Sequence, residues 1–210
     1  MYGYPDGTFR PDASITRSEA AAMIARLKGY DLSDKAAPKF SDTKVGWFKA
    51  AINAVFKNGL MKGYQDGSFR PNEKITRAEF AQMIKNIDKS NSAVATFTDV
   101  KGHWAEAAIN QAYGNGRIKG YPDGTFKPDA PITRAEAVTI ANSLMGRSVD
   151  GRGLKEKLEN PTRLSKFSDL TTSHWAFYEI MEATNSHEFE RREKGRVVED
   201  WLEIDKDKKH

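Results

Sequence analysis

The chain has no cysteine, so disulfides, thiolate metal sites and thiol nucleophiles are excluded, and the fold has to hold without covalent staples. No stretch approaches the roughly 18 apolar residues of a membrane helix, so no membrane insertion is expected. The residues after Met1 are turn formers, unlike the basic and apolar regions of a leader. Any secretion signal is therefore expected outside this chain, with Met1 a start placed inside a longer protein. Histidine is scarce: His103, His174, His187 and His210 lie apart, and three of the four have no repeated Ser or paired carboxylate nearby. His103 and His174 precede a tryptophan, but the matching segment Val45-Gly46-Trp47 has none, so a shared catalytic role fails. No catalytic residue, metal or cofactor is expected. A strong charge of one sign is also lacking. The net charge of +4 suits a polyanion without choosing one, and the basic residues mix with acids, as in "FERREKGRVVED". A nucleic-acid module needs a basic stripe on one element, so no nucleic-acid partner is expected.

What is present is repetition. "GYPDGTFRPDASITRSE" at the start returns as "GYQDGSFRPNEKITRAE" and "GYPDGTFKPDAPITRAE", with periods of 60 and 57 between Gly3, Gly63 and Gly120. A second phrase precedes two of these copies, "FSDTKVGWFKAAINAVF" from Phe40 and "FTDVKGHWAEAAINQAY" from Phe97. It appears once more, alone, as "FSDLTTSHWAFYEIMEAT" from Phe167. The chain thus begins on a second half and ends on a first half.

Each half reads as one helix. Thr16, Thr76 and Thr133 are N-caps with Glu19, Glu79 and Glu136 three residues on, a capping box. Pro11, Pro71 and Pro128 keep the preceding segment extended. Apolar residues at helical spacing, such as Phe80, Met83, Ile84 and Ile87, mark one buried face. The Asp-Gly turns allow Gly7, Gly67 and Gly124 a positive φ and turn Phe9, Phe69 and Phe126 inward. They lack the ligand pattern of a calcium loop, which would place acids or amides where Tyr4, Tyr2 and Ala13 stand.

A two-helix unit buries little alone, so three should share one core around a pseudo-threefold axis. The expected fold is all-α, a single domain over 1–184. Unit 1 joins 2–30 to 167–184, unit 2 is 40–88 and unit 3 is 97–146. Residues 147–166 form a polar connector. Residues 185–210 form a tail in which Lys194-Gly195 marks a possible hairpin, a helix from Val197 being the alternative.

The recurring "FSD…W", "GYPDGTF(R/K)P" and "ITRAE" phrases resemble S-layer homology domains over about Tyr2 to Thr184. The resemblance implies a three-pronged spindle around a central helical bundle, with ligand grooves between neighbouring units. It implies non-covalent anchoring of a bacterial surface protein to a secondary cell-wall polysaccharide, often capped by a pyruvate ketal on N-acetylmannosamine. The location is then extracellular, at the cell wall or S-layer. The partners would be the wall polymer and the rest of a larger surface protein in cis, with the module a monomer. The runner-up is an S-layer protein–protein scaffold without direct glycan binding.

The matching residues have suitable chemistry. Arg17, Arg77 and Arg134, at the first helical position, can grip a ketal carboxylate with paired hydrogen bonds beside a positive helix end. Trp47, Trp104 and Trp175 can lay an aromatic face against sugar C–H bonds. Asp42, Asp99 and Asp169 can accept sugar hydroxyls, and Lys62 and Lys119 add positive charge. Each has a structural alternative: the arginines pairing with an acid on a neighbouring helix, the tryptophans packing in the core, the aspartates serving as helix N-caps, the lysines standing solvated. The copies differ, since Tyr2 replaces the lysine in the first and Trp175 follows Asp169 by six residues rather than five. The intact grooves are expected around Arg77 or Arg134.

Overall fold

A computed structural model of the chain describes residues 1–33, 37–193 and 197–205. The Lys194-Gly195 turn lies outside the described residues. Among the described residues there are six α-helices: α1 (Arg17–Leu27), α2 (Lys49–Lys57), α3 (Arg77–Lys85), α4 (Glu106–Gly114), α5 (Arg134–Met145) and α6 (Phe177–Thr184). Strand β1 (Ser148–Val149) precedes α6, and β2 (His187–Arg191) and β3 (Val198–Ile204) follow it. The chain divides into two compact units, Ser14–Ile132 and Met1–Ala13 with Thr133–His210.

Thr16, Thr76 and Thr133 have extended backbones and complete capping boxes with Glu19, Glu79 and Glu136. That extended entry gives the preceding residue a free N–H and C=O for pairing. Within the Ser14–Ile132 unit, Ile75 N donates to Ile15 O at 3.2 Å, Ile132 N to Ile75 O at 3.0 Å and Ile15 N to Ile132 O at 3.1 Å. The three repeats therefore meet in a closed ring of backbone hydrogen bonds. The three isoleucines are at most 1% exposed, so the ring is sealed from competing water. In this unit α1 packs on α2 and α3 on α4. In the other unit α5 packs on α6, around Phe9, Val138, Leu170, Ala176 and Ile180. Helices thus pair with the helix that follows, one step out of phase with the repeated phrases.

The all-α expectation is corrected here. The C-terminal residues build a mixed sheet of order β1-β3-β2, with β1 parallel and β2 antiparallel to β3. The physical reason is a second core: Trp201 and Ile204 of β3 pack with Val149, Leu154, Leu158 and Met181. Trp201 is wholly buried, and a short extended segment presents it to α6 while pairing its backbone on both sides. The chain from 147 to 166 takes part, since Leu154 and Leu158 belong to that core and Val149 pairs with Glu199. Among the described residues no helix is long and apolar enough to cross a membrane.

Candidate functional site

Each repeated turn closes on itself through Tyr4 N to Thr8 O at 2.8 Å and Gly7 N to Tyr4 O at 3.0 Å, and the same bonds recur at Tyr64/Ser68 and Tyr121/Thr125. Gly7, Gly67 and Gly124 have φ of 81°, 79° and 80°, which a β-carbon would strain. The hydroxyl and N–H of Thr8, aided by Arg10, hold the Asp6 carboxyl at about 2, and Ser68 and Arg70 do the same for Asp66. Phe9, Phe69 and Phe126 point inward, each at most 1% exposed, and meet Phe167, Phe40 and Phe97 at centroid distances of 5.4, 5.3 and 5.4 Å. Those partner rings lie where a β-carbon on Gly3, Gly63 or Gly120 would stand, which explains the glycine that opens each turn.

The aspartates do not cap helices. Helices α2, α4 and α6 begin after Phe48, Ala105 and Ala176 with no side-chain cap. Asp42 instead accepts the N–H of Phe69 at 2.8 Å and of Arg70 at 2.7 Å, and Asp99 does so for Phe126 and Lys127, both at 2.8 Å. Asp169 receives Phe9 N–H at 2.8 Å and Arg10 N–H at 2.7 Å, so the last "FSD" closes the first turn. These bonds hold a strained backbone that the sequence does not announce: Arg10, Arg70 and Lys127 have φ of 56°, 58° and 56°, and each precedes a proline. Partial desolvation pushes the Asp99 carboxyl up, but the N–H groups of Phe126 and Lys127 outweigh it and leave it below the ordinary range.

The arginines are buried, with 5%, 6% and 5% exposure for Arg17, Arg77 and Arg134. Arg17 donates Nε–H to Phe69 O at 2.9 Å, Nη2–H to Lys62 O at 3.0 Å and Nη1–H to Glu79 Oε1 at 3.0 Å. Arg77 donates to Phe126 O at 2.7 Å and Lys119 O at 3.5 Å, and Arg134 to Phe9 O at 2.8 Å and Tyr2 O at 2.7 Å. Each guanidinium also lies over the tyrosine of the turn it holds, Arg17 at 4.9 Å from Tyr64, Arg77 at 5.0 Å from Tyr121 and Arg134 at 4.8 Å from Tyr4. The helix starts face the same way: the N–H groups of Arg17, Arg77 and Arg134 donate to the carbonyls of Glu73, Ala130 and Ala13.

The structure therefore gathers Arg17, Asp42 and the Lys62 carbonyl around Phe69, and Arg77, Asp99 and the Lys119 carbonyl around Phe126. Arg134 and Asp169 meet around Phe9, beside Tyr2. This corrects the grouping read from the sequence, in which Arg134 belongs to an intact copy: it holds the split one, and Arg17 holds an intact one. The side chains of Lys62 and Lys119 are exposed. Trp47, Trp104 and Trp175 are 64%, 62% and 62% exposed, so they are not core residues despite their place at the helix starts. His103 and His174 accept the N–H of Ala105 and Ala176 on Nδ1, at 3.2 and 3.1 Å, and so fix the backbone just before α4 and α6. Their Nε2 atoms face Asp129 at 3.3 Å and Asp12 at 3.7 Å.

One histidine does have paired carboxylates, contrary to the spread seen in sequence. His187 on β2 lies between Glu182 of α6 and Glu199 of β3, its Nε2 3.7 and 3.4 Å from their oxygens. Burial pushes the Glu182 carboxyl up to about 7, assisted by the Glu199 charge, and burial pushes the His187 imidazole down. Only folding of the tail onto α6 unites these three, and no spacing in the sequence signals it.

Comparison with known proteins agrees with the repeated architecture. The chain is 38% identical over 205 residues to Cell surface glycoprotein 1 of Acetivibrio thermocellus, covering 90% of this chain and 8% of that protein. It is 35% identical over 209 residues to the Cellulosome-anchoring protein of the same organism, covering 94% of this chain and 44% of the relative. S-layer protein EA1 of Bacillus anthracis is 33% identical over 173 residues, covering 78% of this chain and 20% of that protein. The chain thus spans less than half the length of each. The model of the family described as S-layer homology domain matches residues 1–21, 39–81 and 96–138. With its repeated capped helices, Asp-clamped turns and these matches, the chain belongs to the S-layer homology domain family.

Proposed function

We propose that the chain is a non-enzymatic module that anchors a larger surface protein to the bacterial cell wall by binding a secondary wall polysaccharide. The observation that carries this is the threefold exposure of tryptophan. Leaving Trp47, Trp104 and Trp175 about two-thirds in water forgoes burial of large apolar rings three times at the same place in the repeat. Sugar C–H faces are suitable occupants for such rings. Lys62 and Lys119 supply mobile positive charge for an acidic substituent such as a pyruvate ketal. The arginines and aspartates serve by holding the turn in shape, with Asp42, Asp99 and Asp169 free to accept a sugar hydroxyl on their remaining lone pairs. The relatives named for cell-surface and cellulosome-anchoring roles support the same reading, as does the small share of each that this chain spans. The test is sedimentation with protein-free wall sacculi: the chain should co-sediment, and lose binding once the wall polymer is extracted. Binding only to other surface proteins would favour a scaffold.

A further inference from the structure

The buried cluster at the C-terminal end carries an inference independent of glycan binding. Glu182, His187 and Glu199 offer one ligand atom each, all within 4.8 Å of one another. The separations from His187 Nε2, 3.7 Å to Glu182 Oε1 and 3.4 Å to Glu199 Oε2, approach the roughly 3.3 Å edge of a tetrahedral set with bonds of about 2.0–2.1 Å. The tautomer is fixed from outside the cluster. His187 Nδ1 lies 2.9 Å from Asn185 O, and a carbonyl only accepts, so Nδ1 carries the proton. With the ring neutral, Nε2 turns its lone pair toward two carboxylates, so either a proton or a cation has to stand between them.

The surrounding groups leave several of these ligand atoms without a hydrogen bond. Glu182, 1% exposed, has no hydrogen-bond donor on either oxygen, and Glu199, also 1% exposed, has none on Oε1. Trp201 on β3 stacks on His187 with centroids 3.8 Å apart, and its buried indole N–H faces Glu182, lowering that carboxyl, without making a well-formed hydrogen bond to it. The nearest cations stand at the margin: Arg147 Nε is 3.4 Å from Glu182 Oε1 and Arg191 Nη2 is 3.9 Å from Glu199 Oε1. They offset part of the buried charge without satisfying those oxygens.

We propose that Glu182, His187 and Glu199 bind one divalent transition-metal cation of the Zn²⁺ class, tying the β2–β3 hairpin to α6. Imidazole with carboxylates suits zinc, whereas calcium and magnesium prefer sites made wholly of oxygen.

The test uses the full chain, stripped with chelator and titrated with Zn²⁺ alone, with Ca²⁺ and Mg²⁺ as comparators. Calorimetry should give one Zn²⁺ per chain, and Tm should rise by roughly 5–10 °C at hundredfold excess over Kd. His187→Gln and Glu182→Gln should each lose that rise while keeping the metal-free far-UV spectrum; if the first fails to fold, the second suffices. The proposal is overturned if the native chain shows no Zn²⁺-dependent rise, if both folded variants keep it, or if Ca²⁺ or Mg²⁺ raises Tm equally.

Discussion

Arg134 on α5 donates its Nε hydrogen to the carbonyl of Phe9 at 2.8 Å, across 125 positions of sequence. The Phe9 N–H is taken by Asp169 at 2.8 Å, so both polar backbone groups of one turn residue are held by side chains from the far end of the chain. Arg17 and Asp42 treat Phe69 in the same way, and Arg77 and Asp99 treat Phe126. The turn is an assembled object, and its stability is open to measurement.

Arg17→Ala strands the buried Phe69 carbonyl, removes the donor to the Lys62 carbonyl, and takes the cation from Glu79 Oε1, whose other oxygen stays in the capping box. Breaking such a buried charged arrangement should destabilise the chain by about 3–5 kcal/mol in urea unfolding. Arg17→Lys should recover little, because an ammonium cannot serve both carbonyls and lie flat over Tyr64. A loss under 1 kcal/mol would place the guanidinium outside the folding scaffold.

Asp99→Ala removes the acceptor of two backbone donors and should cost about 2–3 kcal/mol. It also frees Lys127 from its left-handed conformation. Lys127→Gly added to Asp99→Ala should regain roughly 1 kcal/mol, since glycine accepts that backbone without strain. Urea midpoints of the single and double variants check both parts.

Deleting the chain after Lys166 removes Asp169 and the Ala183 carbonyl that receives the Met1 amino group. Hydrogen exchange should then show the Phe9 and Arg10 amides losing protection. Phe69 and Arg70, held by Asp42, are the internal reference for any general loosening. Equal protection of Phe9 and Arg10 in the native and shortened chains would contradict closure of the first turn by Asp169.

The C-terminal sheet should loosen in acid. Arg192 and the Gly153 N–H hold the Asp150 carboxyl at about 2, and Arg192 lowers Asp200 as well. A folded-state value below the unfolded one, about 3.9, adds stability above pH 4 that is lost as pH falls toward 2. Trp201 fluorescence, isolated by replacing the three exposed tryptophans with phenylalanine, should report that loss. Arg192→Gln should flatten it, and an unchanged acid slope in that variant would remove the ion pair from the explanation.

Much of the fold was legible because its signals are local. A capping box needs only Thr16 and Glu19, and a turn glycine needs only its own φ, so both are written within a few residues. The exposure of Trp47, Trp104 and Trp175 was not legible, since a tryptophan near a helix start reads the same whether it faces core or water. The arginines were misassigned to copies because each reaches across to a different repeat, a choice made by the ring through Ile15, Ile75 and Ile132. In the tail the sequence allows a hairpin or a helix from Val197, and the paired strands β2 and β3 match the hairpin; the choice was hard to read because β3 alternates poorly, with Glu199, Asp200 and Trp201 all buried, and the pairing of β1 has no local signal at all.

The most direct measurement is co-sedimentation of the chain carrying Trp47→Ala, Trp104→Ala and Trp175→Ala with protein-free wall sacculi. The rings are exposed, so Tm should move by little more than about 0.5 kcal/mol per site would allow. Binding should fall at least tenfold if the rings are sugar platforms. Sacculus affinity equal to that of the native chain, with the variant fully folded, would contradict the proposed mode of anchoring.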